Sequence, residues 1–314
     1  MSSSPLRILF MGTPDFAVPS LRALLDSPDE VIAVVCQPDR EKGRGRKLTP
    51  PPVKQLALER GVPVLQPASI RTEEFLDQVR TLSPDLIVVA AYGKILPAGL
   101  LDLPPLGTIN VHGSLLPKYR GAAPIQWAII NGERETGVTI MQMDEGMDTG
   151  DILLPAAVSI GEEDTAGDLF ARLAELGGAT LVRAIALLKE GKLTPVKQDD
   201  SLATEAPPLT KEMGRLDWND DARSLHCRIR GLDPWPSAYG FYRGKRFRFF
   251  RPAVVPGPVR EAPGTLCRAD DEGLLVATGK EYLLIREIQP EGKKRMDVAA
   301  FLRGAALATG DRFT

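Results

Sequence analysis

The sequence predicts an α/β protein of two domains, the first built on a mostly parallel sheet and the second a small β-barrel or sandwich. Three observations predict this fold class. The chain has 314 residues, which suits two domains at roughly 150 residues each. In the first half, apolar β-branched runs alternate with stretches of helical periodicity. In the second half, short strand-like runs follow one another with turn residues between them.

The strands predicted in the first half are near-continuous apolar runs, which are typical of a parallel sheet covered by helices on both faces. They are Arg7–Met11, Val31–Cys36, Val62–Leu65, Asp85–Ala91 and Thr108–His112. Apolar residues at helical spacing predict the helices between and after them, Ala17–Leu25, Lys54–Arg60, Thr72–Thr81 and Thr165–Glu190. Thr165 and Asp168 form a capping-box pattern at the start of the last helix.

A polar, proline-bearing stretch follows Gly191 and predicts an extended linker. We therefore expect domains at 1–191 and 210–314, joined by residues 192–209. Aromatic runs around Arg243 and Gly244 predict a hairpin over Ala238–Phe250. Further strands are expected at Gly264–Arg268, Leu274–Thr278 and Tyr282–Ile288, and helices at Asp221–Ile229 and Asp297–Arg303.

The composition excludes several classes of protein. Hydrophobic residues make up 43% and charged residues 25%, as in folded globular proteins. The longest apolar runs, such as Leu86–Tyr92, are far shorter than the roughly 20 residues of a membrane span. No signal-peptide pattern is visible at the start, so we expect a cytoplasmic protein with no membrane partner. Three scattered cysteines and two histidines predict no metal site.

Charge is distributed unevenly along the chain. Residues 207–314 contain 19 Lys and Arg against 14 Asp and Glu, whereas the remaining 206 residues contain 20 against 27. An acidic half followed by a basic half favours a polyanionic partner, although chance alone can produce such an asymmetry.

The turn after the first strand argues against a nicotinamide cofactor. A dinucleotide-binding turn needs GxGxxG, so that the backbone can approach the pyrophosphate. Residues 12–17 read GTPDFA, with one glycine, and Pro14 lacks an N–H for a phosphate. We therefore expect no NAD.

Polar residues cluster at the end of the fifth predicted strand. The two-residue period of a strand puts Asn110 and His112 on one face, and Gly113 ends the strand behind them. Ligands of open α/β sheets bind just outside such carboxyl ends. The alternative is a core strand that ends in a hydrogen-bonded histidine.

Two charged segments are further candidates. Residues 143–151 carry four carboxylates, Asp144, Glu145, Asp148 and Asp151, and lack the ligand spacing of a calcium loop. Residues 38–52, the basic insert, read PDREKGRGRKLTPPP; two glycines predict a flexible segment, and its charge suits a phosphate-rich substrate. For both segments, a solvated surface turn is the alternative.

Several segments together resemble the family of methionyl-tRNA formyltransferases, within the folate-dependent formyltransferases. They are GTPDFA at 12–17, GRGRKLTPPPVK at 43–54, AAYGKILP at 90–97, NVHGSLLPKYRGAAPIQWAI at 110–129, ETGVTIMQMDEGMDTGDIL at 135–153 and IRGLDPWPSAY at 229–239. The similarity extends from residue 7 to about 303.

The resemblance implies transfer of formyl from 10-formyltetrahydrofolate, the co-substrate, to the amino group of methionine on initiator tRNA. It implies a Rossmann-like catalytic domain and a C-terminal OB-like barrel that holds the tRNA. The residues it assigns are catalytic Asn110, His112 and Asp148; folate-binding Ser114, Leu115, Leu116, Pro117, Ala91, Tyr92, Gly93 and Asp144; and methionine- or tRNA-binding Phe16, Arg40, Lys42, Arg44, Arg46 and Lys47. We expect a monomer.

These residue types suit the chemistry in their own right. Asn110 can donate to a tetrahedral oxyanion, His112 can move protons at neutral pH, and Asp148 can orient the imidazole. The nearest alternative is a folate formyltransferase for a small amine, such as an amino-sugar nucleotide or glycinamide ribonucleotide. It would keep the catalytic trio and have no use for the basic insert or the basic β-domain. A non-catalytic RNA-binding protein is a further alternative, with no reason to keep all three residues.

Overall fold

The computed structural model describes residues 4–42, 47–304 and 307–314, with side chains at all of these positions except 42 and 47. The described part of the chain clusters into two compact units. Unit 1 comprises Met1–Gly121, Thr136–Val158 and Phe170–Ala206, and unit 2 comprises Ala122–Glu135, Ser159–Leu169 and Pro207–Thr314. The domain boundaries expected from the sequence stay a prediction; by contacts, residues 192–206 cluster with unit 1.

The strands and helices are numbered in chain order. The strands are β1 (Arg7–Gly12), β2 (Glu30–Val35), β3 (Arg40–Lys42), β4 (Lys47–Thr49), β5 (Val64–Leu65), β6 (Leu86–Ala90), β7 (Thr108–His112), β8 (Arg120–Gly121), β9 (Glu135–Gln142), β10 (Ile152–Ser159), β11 (Glu205–Ala206), β12 (Tyr239–Tyr242), β13 (Lys245–Val255), β14 (Leu266–Asp270), β15 (Gly273–Ala277), β16 (Tyr282–Pro290) and β17 (Met296–Asp297). The helices are α1 (Val18–Leu25), α2 (Pro52–Glu59), α3 (Glu73–Leu82), α4 (Ala98–Leu101), α5 (Pro124–Ile130), α6 (Ala166–Lys189), α7 (Ala222–Gly231) and α8 (Val298–Leu302).

Unit 1 is built on a seven-stranded sheet in the order β10-β9-β7-β6-β1-β2-β5. The strands from β5 through β7 in this order pair in parallel, and β9 pairs antiparallel to β7. All five residues of β6 are buried, as is typical of a central strand in a parallel sheet. The expected α/β class with a mostly parallel sheet is confirmed.

The parallel strands bring three loops to one edge of the sheet. Gly12 pairs with Ala90, and Val89 pairs with Asn110, so the carboxyl ends of β1, β6 and β7 lie side by side. This is the edge at which ligands of open α/β sheets bind. The long helix α6 packs closely behind β7: a Cβ at Gly177 would lie only 2.9 Å from Cγ1 of Val111.

Unit 2 contains an antiparallel sheet in the order β12-β13-β16-β15-β14, with β17 beside β16. β12 and β13 form the expected hairpin, with Arg243 and Gly244 at positive φ in the turn. The core joins aromatic residues such as Trp218, Phe249 and Phe313 to apolar residues of α7, among them Leu225 and Ile229. The antiparallel β-domain expected in the C-terminal half is confirmed.

Most element boundaries agree with the sequence prediction to within two residues. Thr72 caps α3, and Thr165 and Asp168 bond reciprocally at the start of α6. In the basic insert, residues 40–42 pair antiparallel with residues 47–49. Residues 43–46, which hold the two glycines that predict a flexible segment, lie outside the described residues, so that expectation stays a prediction. No helix in the described ranges is long and apolar enough to cross a membrane.

Candidate active site

His112 is the last residue of β7, and its ring is held by the backbone. The side chain is buried, and Nε2 lies 2.9 Å from the carbonyl oxygen of Tyr119. A carbonyl can only accept, so Nε2 carries the hydrogen and Nδ1 is the nitrogen free to exchange a proton. Nδ1 lies 3.6 Å from Oδ2 of Asp148, longer than a hydrogen bond. Tyr119 therefore orients the imidazole, a role we had expected of Asp148, while the Asp148 charge faces Nδ1.

Asp148 is held in place by backbone and side-chain donors. The N–H of Gly121 donates to its Oδ2 at 2.9 Å, and the amide of Gln198 donates to its carbonyl oxygen at 2.8 Å. Its φ is +56°, in the left-handed region that few non-glycine residues adopt. The turn that carries it follows the antiparallel β9 and begins beside the first residue of β7, where Met143 donates to Thr108.

Asn110 shares a strand face with His112, as its spacing predicts. The residue is half-buried, and its side-chain amide forms no hydrogen bond with another residue in the part of the chain that the structure describes. An uncommitted amide donor is what an oxyanion at this edge of the sheet would need.

Polar groups of the loop after β7 form hydrogen bonds with other groups of the protein. Ser114 Oγ donates to the carbonyl of Lys118 at 2.6 Å, and Thr139 Oγ1 both donates to the carbonyl of Ser114 and accepts from the N–H of Leu116. Leu115 and Pro117 are half-buried, whereas Leu116 is buried. The hydroxyl of Ser114 is thus already used, and a ligand would meet the apolar surface of Leu115 and Pro117.

The loop after β6 presents backbone at the same edge. Ala91 and Gly93 have φ of +46° and +80° and are exposed. The Tyr92 side chain points inward: its ring is buried, its hydroxyl has no partner among the described residues, and burial raises its pKa to about 12. Asp144, by contrast, is an exposed residue whose Oδ1 accepts from Gly146 N and Thr149 Oγ1 and shapes its turn.

The residues expected to contact methionine and tRNA are distributed over two places. Phe16 lies just after β1, buried, with its ring edge-on to Phe170 at 5.3 Å. Arg40 is exposed and donates to Gln37. Lys42 and Lys47 are backbone partners where β3 pairs with β4, and their side chains lie outside the described part. Arg44 and Arg46 lie outside the described residues altogether.

Sequence reasoning missed the residues that support His112 and Asp148, two of the three candidate catalytic residues. Tyr119 and Gly121 lie in the KYRG segment at 118–121, which carried part of the resemblance without an assigned role. Gln198 lies in the stretch expected to be a linker, where a single glutamine gives no signal. Among the described residues, no group of three or more His, Cys, Asp or Glu could hold a metal ion.

Two family models match the chain. One described as "Formyl transferase" matches residues 6–185, and one described as "Formyl transferase, C-terminal domain" matches residues 208–306. The chain is 61% identical over 302 residues to a methionyl-tRNA formyltransferase of Desulfotalea psychrophila, covering 96% of this chain and 94% of that one. It is 53% identical over 307 residues to one of Geobacter sulfurreducens, covering 98% and 96%.

Solved structures with the same fold are more distant in sequence. An N-formyltransferase from Helicobacter canadensis, in complex with folinic acid and dTDP-3-aminofucose, aligns with a TM-score of 0.66 at 16% identity over 93% of this chain and 100% of that one. HypX from Aquifex aeolicus, in complex with tetrahydrofolic acid, aligns with a TM-score of 0.63 at 19% identity over 99% of this chain and 51% of that one.

Proposed function

The chain belongs to the formyl transferase family, and we propose that it transfers the formyl group of 10-formyltetrahydrofolate to the α-amino group of methionine on initiator methionyl-tRNA. The observation that carries the proposal is the pairing of a free amide with a free imidazole nitrogen. Asn110 and Nδ1 of His112 occupy one strand face at the ligand-binding edge of the sheet, with the Asp148 carboxylate beside Nδ1.

The reaction makes one C–N bond and breaks another. The neutral amine attacks the formyl carbon and gives a tetrahedral oxyanion, while the attacking nitrogen becomes cationic. An α-amino group has a reference pKa near 7.7–8.0, so a usable neutral fraction exists at neutral pH. His112 Nδ1 takes a proton from that nitrogen and returns it to N10 of the folate. The bond between N10 and the formyl carbon then breaks, which leaves N-formylmethionyl-tRNA and tetrahydrofolate.

Each member of the trio has a separate task in this scheme. Asn110 donates to the oxyanion, which is worth ~10²–10³ in rate where such donors have been removed. The carbonyl of Tyr119 fixes Nε2–H, so the proton moves at Nδ1. Asp148, with its Oδ2 3.6 Å from Nδ1, stabilises the imidazolium that forms between the two proton transfers.

We assign the binding of the substrates as the resemblance implies. The folate lies against Leu115, Leu116 and Pro117, the backbone at 91–93 and the turn at Asp144, with Ser114 contributing through its backbone. Phe16 faces the methionine, and the basic insert contacts the acceptor end. Residues 1–191 form the catalytic domain and residues 210–314 form the tRNA-binding domain, with residues 192–209 as the linker between them. The protein is a cytoplasmic monomer, and the reaction uses neither a metal nor NAD.

A formyl transferase for a small amine is the competing function, and a panel of acceptors tests it. The protein is incubated with 10-formyltetrahydrofolate labelled in the formyl carbon, and the label is followed into charged initiator tRNA, glycinamide ribonucleotide or an amino-sugar nucleotide. We expect label in the methionine of the tRNA and background in the small amines. Label in a small amine alone would establish the competing function.

A further inference from the structure

Residues 119–121 form hydrogen bonds with both titratable members of the proposed catalytic trio, His112 and Asp148. The Tyr119 carbonyl accepts from Nε2 of His112 at 2.9 Å, and the Gly121 N–H donates to Oδ2 of Asp148 at 2.9 Å. Any shift of this short segment would therefore move the imidazole and the carboxylate together.

This segment is itself fixed by the end of the stretch expected to be a linker. The N–H of Tyr119 donates to Thr204 Oγ1 at 2.9 Å, and the N–H of Arg120 donates to the Thr204 carbonyl at 2.8 Å. β8 then pairs in parallel with β11. Residues 198–206, which we call the strap, thus belong to the support of the active site.

Gln198 is the buried anchor of the strap. Between residues 191 and 205, all of which the structure describes, it is the only buried residue. Its amide donates to the carbonyl oxygens of Asp148 and Gly150 at 2.8 and 2.7 Å. Its Oε1 accepts from Nε and Nη2 of Arg120 at 3.0 and 2.8 Å.

The hydrogen bonds of Gln198 hold the backbone around Asp148, which adopts an unfavourable conformation. A non-glycine residue in the left-handed region is strained and persists where its surroundings over-determine it. Asp148 has φ of +56°, and Gln198 bonds the carbonyls on both sides of Thr149. Arg120 fixes the amide's orientation, because its two N–H groups can bond only the oxygen of Gln198.

We infer that Gln198 is a positioning residue for the proposed formyl transfer. Arg120 orients the side-chain amide of Gln198, and this amide holds Asp148 beside His112. The inference rests on the proposed function. Gln198 is buried and its amide bonds to protein groups, so it acts on the chemical step through the placement of Asp148, where a displacement of about 1 Å can cost ~10²-fold in rate.

The test compares Gln198→Glu with Gln78→Glu, a matched substitution on an exposed position of α3. Gln198→Glu keeps the shape and the bond to Arg120, and it replaces two donors by an oxygen that repels the carbonyls of Asp148 and Gly150. We expect kcat to fall ~10- to 100-fold. The KM values for folate and charged tRNA should change less than threefold, and Gln78→Glu should match the wild type.

A double-mutant cycle separates positioning from general damage to the fold. If Gln198 acts through Asp148, then Gln198→Glu in an Asp148→Asn background costs almost nothing further in single-turnover rate. Equal losses in both backgrounds would overturn the inference. Arg120→Lys is the second variant, should Gln198→Glu fail to fold: it keeps the charge, loses the two-point contact with Gln198, and is expected to lower kcat about threefold to tenfold.

The two claims fail differently in this experiment. A wild-type protein that forms no N-formylmethionyl-tRNA contradicts the proposed function. An active wild type whose kcat is unchanged in both Gln198→Glu and Arg120→Lys contradicts the role of the strap alone.

Discussion

His112 has one committed ring nitrogen and one free one, and this difference sets its chemistry. Nε2 is bonded to the carbonyl of Tyr119, so only Nδ1 can shuttle a proton. Asn110 lies two residues earlier on the same face, and its side-chain amide forms no hydrogen bond with another residue that the structure describes. The proposed acid–base group and the proposed oxyanion donor therefore come from one short strand, and each can be substituted separately.

The first prediction concerns the acid–base group. We expect His112→Ala to lower the single-turnover rate of formyl transfer by ~10²–10⁴, the usual contribution of a general acid–base. The affinity for folate should change little. A rate within threefold of the wild type would remove His112 from the mechanism.

The second prediction concerns the oxyanion donor. Asn110→Ala should lower kcat by ~10²–10³ while the dissociation constant of charged tRNA stays near that of the wild type. Stopped-flow single-turnover kinetics, beside a binding titration, separates the two quantities. A weaker tRNA complex with an unchanged chemical step would assign Asn110 to binding instead.

How much of the site could be read from sequence depends on the distance along the chain. Asn110 and His112 are two residues apart, so strand periodicity placed them together. Gln198 and Asp148 are fifty residues apart, and no local pattern predicts their contact. β8 and β11, each of two residues, pair across a still longer stretch of chain and are too short for any periodicity to show.

At the scale of secondary-structure elements, α7 carries a buried histidine that the candidate site does not use. His226 lies on the inner side of the helix, and burial together with Arg230 and Arg223 lowers its pKa to about 4, against the opposing effect of Glu162. It is therefore neutral in the folded protein at neutral pH.

The third prediction is a pH dependence of stability that this histidine causes. The unfolded state binds a proton at His226 near pH 6.5, whereas the folded state binds it only near pH 4. The contribution of neutral His226 to the free energy of unfolding is therefore complete above pH 6.5 and is lost as the pH falls towards 4. Between pH 7.5 and 5, the resulting loss in the free energy of unfolding is about 2 kcal/mol. Urea unfolding followed by tryptophan fluorescence should show His226→Gln losing less stability than the wild type over this range. Parallel losses in the two proteins would contradict a neutral buried His226.

The fourth prediction concerns the basic insert, in which β3 and β4 pair with each other. We expect Arg44→Ala, at a position outside the described residues, to reduce formylation of charged initiator tRNA strongly with folate affinity nearly unchanged, because guanidinium can bind phosphate bidentately. Lys47→Ala should lower the salt slope of tRNA binding by about one unit. Arg80→Ala, whose partners are Glu73 and Asp77 on α3, is the control. Binding that ignores salt and residues 40–47 would favour a small-amine acceptor.

At the scale of the whole molecule, the division of charge agrees with a polyanionic substrate, and the first strand–helix turn agrees with a cofactor other than a dinucleotide. Residues 207–314 carry the excess of basic side chains. In the first turn, a Cβ at Gly12 would lie 2.8 Å from that of Ala17, and Pro14 precedes a short 3₁₀ turn over Asp15–Ala17. The fold class followed from other regional patterns, the alternation of apolar runs with helical stretches and the later series of short strands, because these patterns sum over many residues.

The fifth prediction follows from that turn. The protein should bind a stable folate analogue and show no heat of binding with NADH, because the turn lacks the glycines that let a pyrophosphate approach the backbone. Calorimetry of the full chain measures both ligands under one set of conditions. Micromolar NADH binding without folate binding would reverse the assignment of the co-substrate.

The central claim is that this chain formylates methionine only when the amino acid is esterified to initiator tRNA. The most direct measurement mixes the protein with formyl-labelled 10-formyltetrahydrofolate and either charged initiator tRNA or free methionine, then follows the label by mass spectrometry after ester hydrolysis. The account predicts one labelled N-formylmethionine per charged tRNA and background with free methionine. Equal labelling of both acceptors, or none with the charged tRNA, would contradict it.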